Sequence, residues 1–197
     1  MSKILISGYY GFANAGDEAM LTAIIESLRQ VEKNVELTVL SGNPEDTAAK
    51  HQVCSVYRFN PLGIIRTMKD SELIISGGGS LLQDVTSKRS LLYYLSIIGL
   101  GKFFGKKVML FAQGIGPIRA KWARKLTSLV CNEADLITVR DSESAAELIE
   151  MGVKPEKITV TADSVLSLNP VTKECGQYLL QEAGVDLTKP VIGISVR

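Results

Sequence analysis

The sequence contains a single histidine, His51, and only three cysteines, Cys54, Cys131 and Cys175. The cysteines are odd in number, widely spaced and never arranged as Cys-x-x-Cys. That spacing argues against a disulfide framework, and with one histidine it leaves no ordinary metal-ligand set, so no metal is expected. The thiols read as reduced groups of a cytosolic protein. His51 lies in a polar segment with no evident partner and reads as a surface residue. An excess of one charge is also missing: 22 Lys+Arg face 21 Asp+Glu, for a net charge of +1. A nucleic-acid-binding domain of this size carries a basic excess or stripe, so no nucleic-acid partner is expected. The mild runs Gly105-Lys106-Lys107 and Arg119 to Lys125 read as solvated helix ends. No apolar run approaches the roughly 20 residues that span a bilayer. The most apolar stretch, Leu91 to Gly101, reads as a buried helix, with contact at a membrane surface left open. The opening run from Met1 to Gly8 is too short for a signal peptide and passes straight into a glycine turn, as a first strand would.

What is present is enough apolar material for a core. Of 197 residues 46% are hydrophobic and 22% charged, a globular balance at a length suited to one domain and the start of another. Runs rich in Ile, Val and Leu recur at Lys3 to Ser7, Glu36 to Leu40, Glu72 to Ser76, Lys107 to Ala112, Asp135 to Val139 and Ile158 to Thr161. Most are continuous rather than alternating, which predicts strands covered on both faces of a parallel sheet. Helical spacing appears between them. Met20, Ala23, Ile24, Leu28 and Val31 form one face of a helix over 17–31; Trp122, Leu126, Leu129 and Val130 form another after Pro117. A third helix runs from a cap at Asp141 through Ala145, Leu148 and Ile149 to a stop at Gly152. The alternation predicts a doubly wound, mostly parallel, Rossmann-like α/β domain over 1–170, bounded by Asn169-Pro170. Residues 171–197 are expected to hold a connecting helix, Cys175 to Ala183, and a strand, Val191 to Val196. A core-type strand is an odd place to stop, so a truncated second domain is expected.

Open parallel sheets bind ligands beyond the carboxyl ends of their strands. The segments expected there are Gly8 to Glu18, Gly77 to Asp84, Gln113 to Pro117, Arg140-Asp141 and Ala162 to Ser164. Three are glycine-rich, which lets a ligand approach the backbone, although glycine also serves tight turns for their own sake. The candidate substrate-binding residues are Gly11, Asn14, Asp17, Gly78, Gly79, Gln83, Gln113, Gly114 and Arg140, together with Arg197 on the last strand. The first loop is neither Gly-x-Gly-x-x-Gly nor a Walker-type loop and has no lysine for a phosphate. Its helix opens instead on Asp17 and Glu18, which suit the positive helix end and would repel a phosphate. Carboxylates and amides suit sugar hydroxyls, so a neutral polyol is the expected contact; the alternative is that both acids are simply favourable first-turn residues. Arg140 could pair with a ligand's carboxylate or phosphate, or merely with Asp141 or Asp163.

The segments Gly8 to Ala19, Ser76 to Asp84, Gln113 to Pro117 and Thr138 to Ser142, in order over nearly the whole chain, resemble the polysaccharide pyruvyl transferase family, in particular its bacterial secondary cell-wall branch. The resemblance implies the amino-terminal half of a GT-B-like two-domain enzyme that uses phosphoenolpyruvate as donor substrate and no cofactor. It implies a mannosamine-type sugar on a lipid-linked cell-wall glycan as acceptor, and a cyclic pyruvate ketal as product. It places Asn14 near the active site and Arg140 at donor or acceptor. It puts the general acid, a histidine, in a second domain with no counterpart here, so the chain alone is expected to be inactive. The implied location is the cytoplasm, with peripheral contact at the inner face of the membrane open. Two other readings remain: a nucleotide-sugar-dependent glycosyltransferase of the same architecture, and a non-enzymatic sugar-binding module. The oligomeric state is not set by the sequence.

Overall fold

The computed structural model describes residues 2–85 and 87–194. The chain divides into two compact units, Met1–Ser167 and Leu168–Arg197. The first unit is built on one eight-stranded sheet. Its strands are β1 (Lys3–Tyr10), β2 (Glu36–Ser41), β3 (Cys54–Tyr57), β4 (Leu73–Ser76), β5 (Gly79–Leu82), β6 (Lys107–Ile115), β7 (Leu136–Val139) and β8 (Ile158–Val160). Every pairing is parallel, in the order β3-β2-β1-β4-β6-β7-β8, with β5 added against the end of β6. Between the strands run α1 (Ala15–Val31), α2 (Pro44–His51), α3 (Pro61–Asp70), α4 (Lys88–Phe103), α5 (Lys121–Glu133) and α6 (Ser142–Glu150). The order reverses at β1, between β2 and β4, which makes the domain doubly wound.

Two separate cores show why the strand sequences are continuously apolar. Ile4, Ile6, Leu37, Val39 and Ile75 pack with Leu21, Ile24 and Ile25 of α1. Their strand neighbours Leu5, Leu40 and Ile74 point to the opposite face, where they join Met68 of α3, Leu91 and Ile98 of α4, Cys131 of α5 and Leu148 of α6. Successive side chains of a strand leave opposite faces, so a sheet buried on both sides needs apolar residues at every position. The predicted sheet class stands on this arrangement.

Several local expectations need correction. β3 and β5 were not anticipated, and β6 runs three residues past Ala112, so the supposed loop at Gln113 to Ile115 is strand. On α5 the buried residues are Ala123, Thr127, Ser128 and Cys131, whereas Trp122 and Leu129 are exposed. Small residues form that face because α5 packs closely beside α4. Val31 and Ile149 are exposed rather than buried. The cap and stop of α6 hold: the Asp141 carboxylate accepts from the Ser144 N–H at 2.7 Å, and Gly152 takes φ +95°. The Leu91 to Gly101 stretch lies within α4, with Leu91, Leu95, Ile97 and Ile98 buried. Among the described residues no helix is long and apolar enough to cross a membrane.

The second unit contains α7 (Lys173–Glu182), capped by the Thr172 hydroxyl on the Cys175 N–H at 3.3 Å and closed by Gly184 at φ +80°. The strand expected over 191–196 is not formed at Val191 to Ile194, and its remainder lies outside the described residues.

The cysteines are all free, with Cys54 and Cys175 exposed and Cys131 buried. Burial pushes the Cys131 thiol up to about 12. A thiol-specific reagent at pH 8 is therefore expected to modify two cysteines quickly and Cys131 only on unfolding. Three equally fast equivalents in mass spectra of the folded protein would contradict the packing of α5.

Candidate functional site

Because all strands are parallel, every loop that leaves a carboxyl end emerges at the same edge of the sheet. The first loop enters α1 through Asn14, whose Oδ1 accepts from the N–H groups of Gly16 at 3.1 Å and Asp17 at 3.3 Å. This satisfies two donors that the helix start would leave open. Asn14 is exposed, and its Nδ2 donates no hydrogen bond among the described residues. Gly11, at φ +76°, gives its N–H to Glu18 Oε1 at 2.8 Å, tying the loop back to the helix. The other carboxylate oxygen of Glu18 meets His51 Nε2 at 3.3 Å, and the His51 side chain is only 10% exposed. The expectation of a partnerless surface histidine is thus corrected. Its partner lies 33 positions away, and α2 brings it there.

The candidate glycines have internal reasons for being glycine. A methyl group on Gly11 would fall 2.1 Å from Ser41 Oγ, one on Gly78 would fall 3.1 Å from Met20 Sδ, and one on Gly79 would fall 3.2 Å from Asp17 Oδ1. One on Gly114 would fall 2.7 Å from the Arg140 guanidinium. These positions admit the protein's own side chains to the backbone: Gly114 of β6 meets Arg140 after β7, and Gly78 and Gly79, following β4, meet Met20 and Asp17 of α1. Gln113 is fully buried. Its Nε2 donates to Gly77 O at 2.6 Å and Ser76 Oγ at 3.1 Å, so it braces the end of β4. Gln83 Nε2 donates to Ser80 O at 3.1 Å.

Asp17 is half-buried in this cluster. Burial pushes its carboxyl up to about 6, and the charge of Glu18 adds to the effect. The sequence did not reveal this burial, because it arises from packing against the Gly77–Gly79 turn.

Arg140 follows β7 at the same edge. Its Nε lies 3.4 Å from Asp141 and its Nη1 3.4 Å from Asp163, while Nη2 donates to Ser80 Oγ at 3.2 Å. Both ion pairs foreseen as alternatives to ligand binding are formed. They are longer than the roughly 2.8 Å of a close charge-assisted bond, so a tighter anion could replace them. Arg197 lies outside the described residues. Among the described residues no cluster of three or more His, Cys, Asp or Glu could hold a metal. A cavity of about 620 Å³ lies at the other edge, lined by residues including Ser2, Leu28, Glu72 and Lys107. It sits at the strands' amino ends, whereas open parallel sheets bind ligands beyond the carboxyl ends, so the carboxyl edge is the candidate site.

The sequence pattern of the family described as Polysaccharide pyruvyl transferase matches residues 14–181. The chain belongs to the polysaccharide pyruvyl transferase family. No curated protein matches it. Among solved structures, the chain is similar to Anabaena Alr3699/HepE in complex with UDP-glucose, with TM-score 0.61, 14% identity, 93% of this chain and 50% of the other. It is also similar to UDP-GlcNAc 2-epimerase from Neisseria meningitidis bound to UDP-GlcNAc, with TM-score 0.57, 13% identity, and 94% and 54% coverage. A glycosyltransferase from Rickettsia africae ESF-5 gives TM-score 0.57, 12% identity, and 96% and 51% coverage. At these identities the likeness is one of fold. The chain spans about half the length of each of these structures.

Proposed function

We propose that the protein transfers the pyruvyl group of phosphoenolpyruvate to two hydroxyls of a mannosamine-type sugar on a lipid-linked cell-wall glycan precursor, forming a cyclic ketal. Family membership supports the transferase class. The observation that carries the reading further is Asp17, a half-buried carboxyl titrating at about 6 on the ligand edge of the sheet. The absence of lysine from Gly8 to Glu18 supports a sugar rather than a phosphate at this loop.

The chemistry sets what such a site must do. Protonation of the donor's methylene carbon makes the adjacent carbon electrophilic. One sugar oxygen bonds to that carbon as its proton leaves; the second replaces the phosphate, which departs with its bonding electrons. The sum is a methyl ketal plus inorganic phosphate, with one hydroxyl proton balancing the new methyl group and the other the leaving phosphate. Asp17 is assigned the first hydroxyl proton, because a carboxylate with a pKa near 6 is a competent general base at neutral pH. Asn14 offers an amide to the sugar hydroxyls, and Arg140 is assigned to the donor's carboxylate or phosphate.

The test is incubation of the full-length protein, not of this chain alone, with phosphoenolpyruvate, with and without a mannosaminyl glycan. Acceptor-dependent phosphate release and a new ketal methyl signal by NMR are expected; phosphate without the ketal would reject the reading. Arg140→Lys is expected to raise the KM for phosphoenolpyruvate about tenfold or more, because lysine has no planar fork for a carboxylate or phosphate. An unchanged KM would remove Arg140 from the donor site. The fold likeness to UDP-sugar-binding structures favours a second reading, a nucleotide-sugar glycosyltransferase. Stabilisation against heat by UDP but not by phosphoenolpyruvate would support it.

A further inference from the structure

Arg58 follows β3 at the carboxyl edge, beside the first loop. Its N–H donates to Ser41 O at 2.9 Å, and its carbonyl accepts from the Tyr93 hydroxyl at 3.1 Å. The residue is only 4% exposed. Its guanidinium carbon lies 4.4 Å from the ring centroid of Tyr93, 5.2 Å from Phe59, 5.4 Å from Phe12, 5.5 Å from Tyr94 and 6.0 Å from Tyr9. Nη2 makes one long hydrogen bond, to the Tyr94 hydroxyl at 3.4 Å. Nε and Nη1 are buried and have no hydrogen-bond partner, and no carboxylate pairs with Arg58 among the described residues.

This is an unusual state for a cation. A buried charge is costly unless it is both paired and hydrogen-bonded. Arg124 and Arg140, each more exposed, both have carboxylate partners. The five rings attract the guanidinium through their faces, but they accept no hydrogen bond from the two bare nitrogens that matches an anion's. An anion would supply what is missing. The rings also show what the anion is attached to. Tyr9, Phe12 and Phe59 are 40%, 42% and 61% exposed, and Tyr9 and Phe12 stack at 4.4 Å with their planes 13° apart. Exposed ring faces around a cation suit a sugar, whose C–H faces are apolar. These three rings form the solvent side of the aromatic cluster, and exposed side chains change rotamer on the picosecond to nanosecond scale.

We propose that Arg58 anchors the phosphate of a glycosyl phosphate, with the attached pyranose ring resting on Tyr9, Phe12 and Phe59. Identifying this ligand with the acceptor's phosphate-linked end rests on the function proposed above; the binding itself does not. Phosphoenolpyruvate also carries a phosphate, but it has no ring to occupy the aromatic rim.

The test is a ³¹P NMR and thermal-shift titration of the protein with a hexose 1-phosphate, inorganic phosphate, phosphoenolpyruvate and the free hexose. Hexose 1-phosphate is expected to bind at least tenfold more tightly than inorganic phosphate or free hexose. Arg58→Lys is expected to weaken its binding at least tenfold. Phe59→Ala, which removes a largely exposed ring, is expected to weaken hexose 1-phosphate several-fold and leave inorganic phosphate unchanged; this variant decides the matter if Arg58→Lys does not fold. The proposal is overturned if no phosphorylated probe binds the wild type, if Arg58→Lys binds as the wild type does, if Phe59→Ala affects both probes equally, or if phosphoenolpyruvate binds more tightly than the hexose phosphate. Since turnover is not measured, failure of pyruvyl transfer with this binding intact would reject only the reaction, and ketal formation without this binding would reject only the Arg58 site.

Discussion

Replacing Gly77 by alanine is expected to destabilise the protein by about 2 kcal/mol, the middle of the range for overpacking a tight interior. The methyl group would fall 2.1 Å from the Tyr10 hydroxyl oxygen and 3.2 Å from Ile24 Cδ1. Tyr10 cannot retreat. It is fully buried, and its ring already lies where a side chain on Gly8 would go, 2.3 Å from that position. The hydroxyl is also a weak point in its own right, since it is buried and finds no hydrogen-bond partner among the described residues. Removing an unsatisfied buried hydroxyl recovers its desolvation cost, so Tyr10→Phe alone is expected to be neutral or stabilising by about 1 kcal/mol. In the double variant the contact at 2.1 Å vanishes and the nearest ring carbon stands at 3.2 Å. The two substitutions are therefore expected to couple by more than about 1 kcal/mol in urea unfolding, far outside the scatter for independent sites. Additive effects would show that the glycine serves something other than Tyr10.

This contact also shows where sequence reasoning reached its limit. The Ser76 to Asp84 segment was legible as glycine-rich and as lying at a strand end. That its glycines make room for Tyr10, Met20 and Asp17 was not, because those partners come from β1 and α1, far away in the chain. The same holds for β5: Gly79, Ser80, Leu81 and Leu82 read as a turn, and they become a strand only because β6 extends to Ile115 and offers a ladder. The main strands were visible since a sheet covered on both faces needs unbroken apolar runs, a purely local signal. β3, with Cys54, Ser55, Val56 and Tyr57 at the sheet's edge, carries no such run. On α5, Leu126 and Val130 of the expected face do pack against the core, but Trp122 and Leu129 are exposed and the fully buried positions are small. Arg58 left one trace, an arginine flanked by Tyr57 and Phe59, but the rings that bury it include Tyr93 and Tyr94 of α4. Charge and hydrogen-bond partners at a site are mostly long-range facts.

Asp17→Asn is the most demanding test of the proposed reaction, because activity and stability are expected to move in opposite directions. If Asp17 takes the proton from the attacking sugar hydroxyl, the variant loses about 10²- to 10⁴-fold in kcat/KM, the usual contribution of a positioned base. The acid limb of the wild-type pH profile, centred near the Asp17 value of about 6, should disappear with it. Stability follows from the same shift. The carboxyl titrates at about 6 when folded and at 3.8 in its unperturbed form. The folded state therefore holds the proton more tightly, so ionisation penalises folding. Below pH 3.8 both states are protonated and asparagine gains nothing. The penalty grows as pH rises from 3.8 to 6 and is complete above that. At pH 7.5 the variant is expected to be more stable by on the order of 1–2 kcal/mol, allowing for partial solvent screening and for the small loss of a charge at the start of α1. Denaturant melts at pH 4 and 7.5 measure the difference, and equal gains at both would remove the titrating carboxylate as its cause. A variant that kept its activity within a few-fold while gaining stability at pH 7.5 would show that Asp17 is strained by its surroundings but does no chemistry. A variant that lost activity while keeping the acid limb would place the base elsewhere and leave Asp17 a positioning residue. Only the joint result, activity lost with its acid limb and stability gained above pH 6, fits a carboxylate that the fold holds at a cost because the reaction uses it.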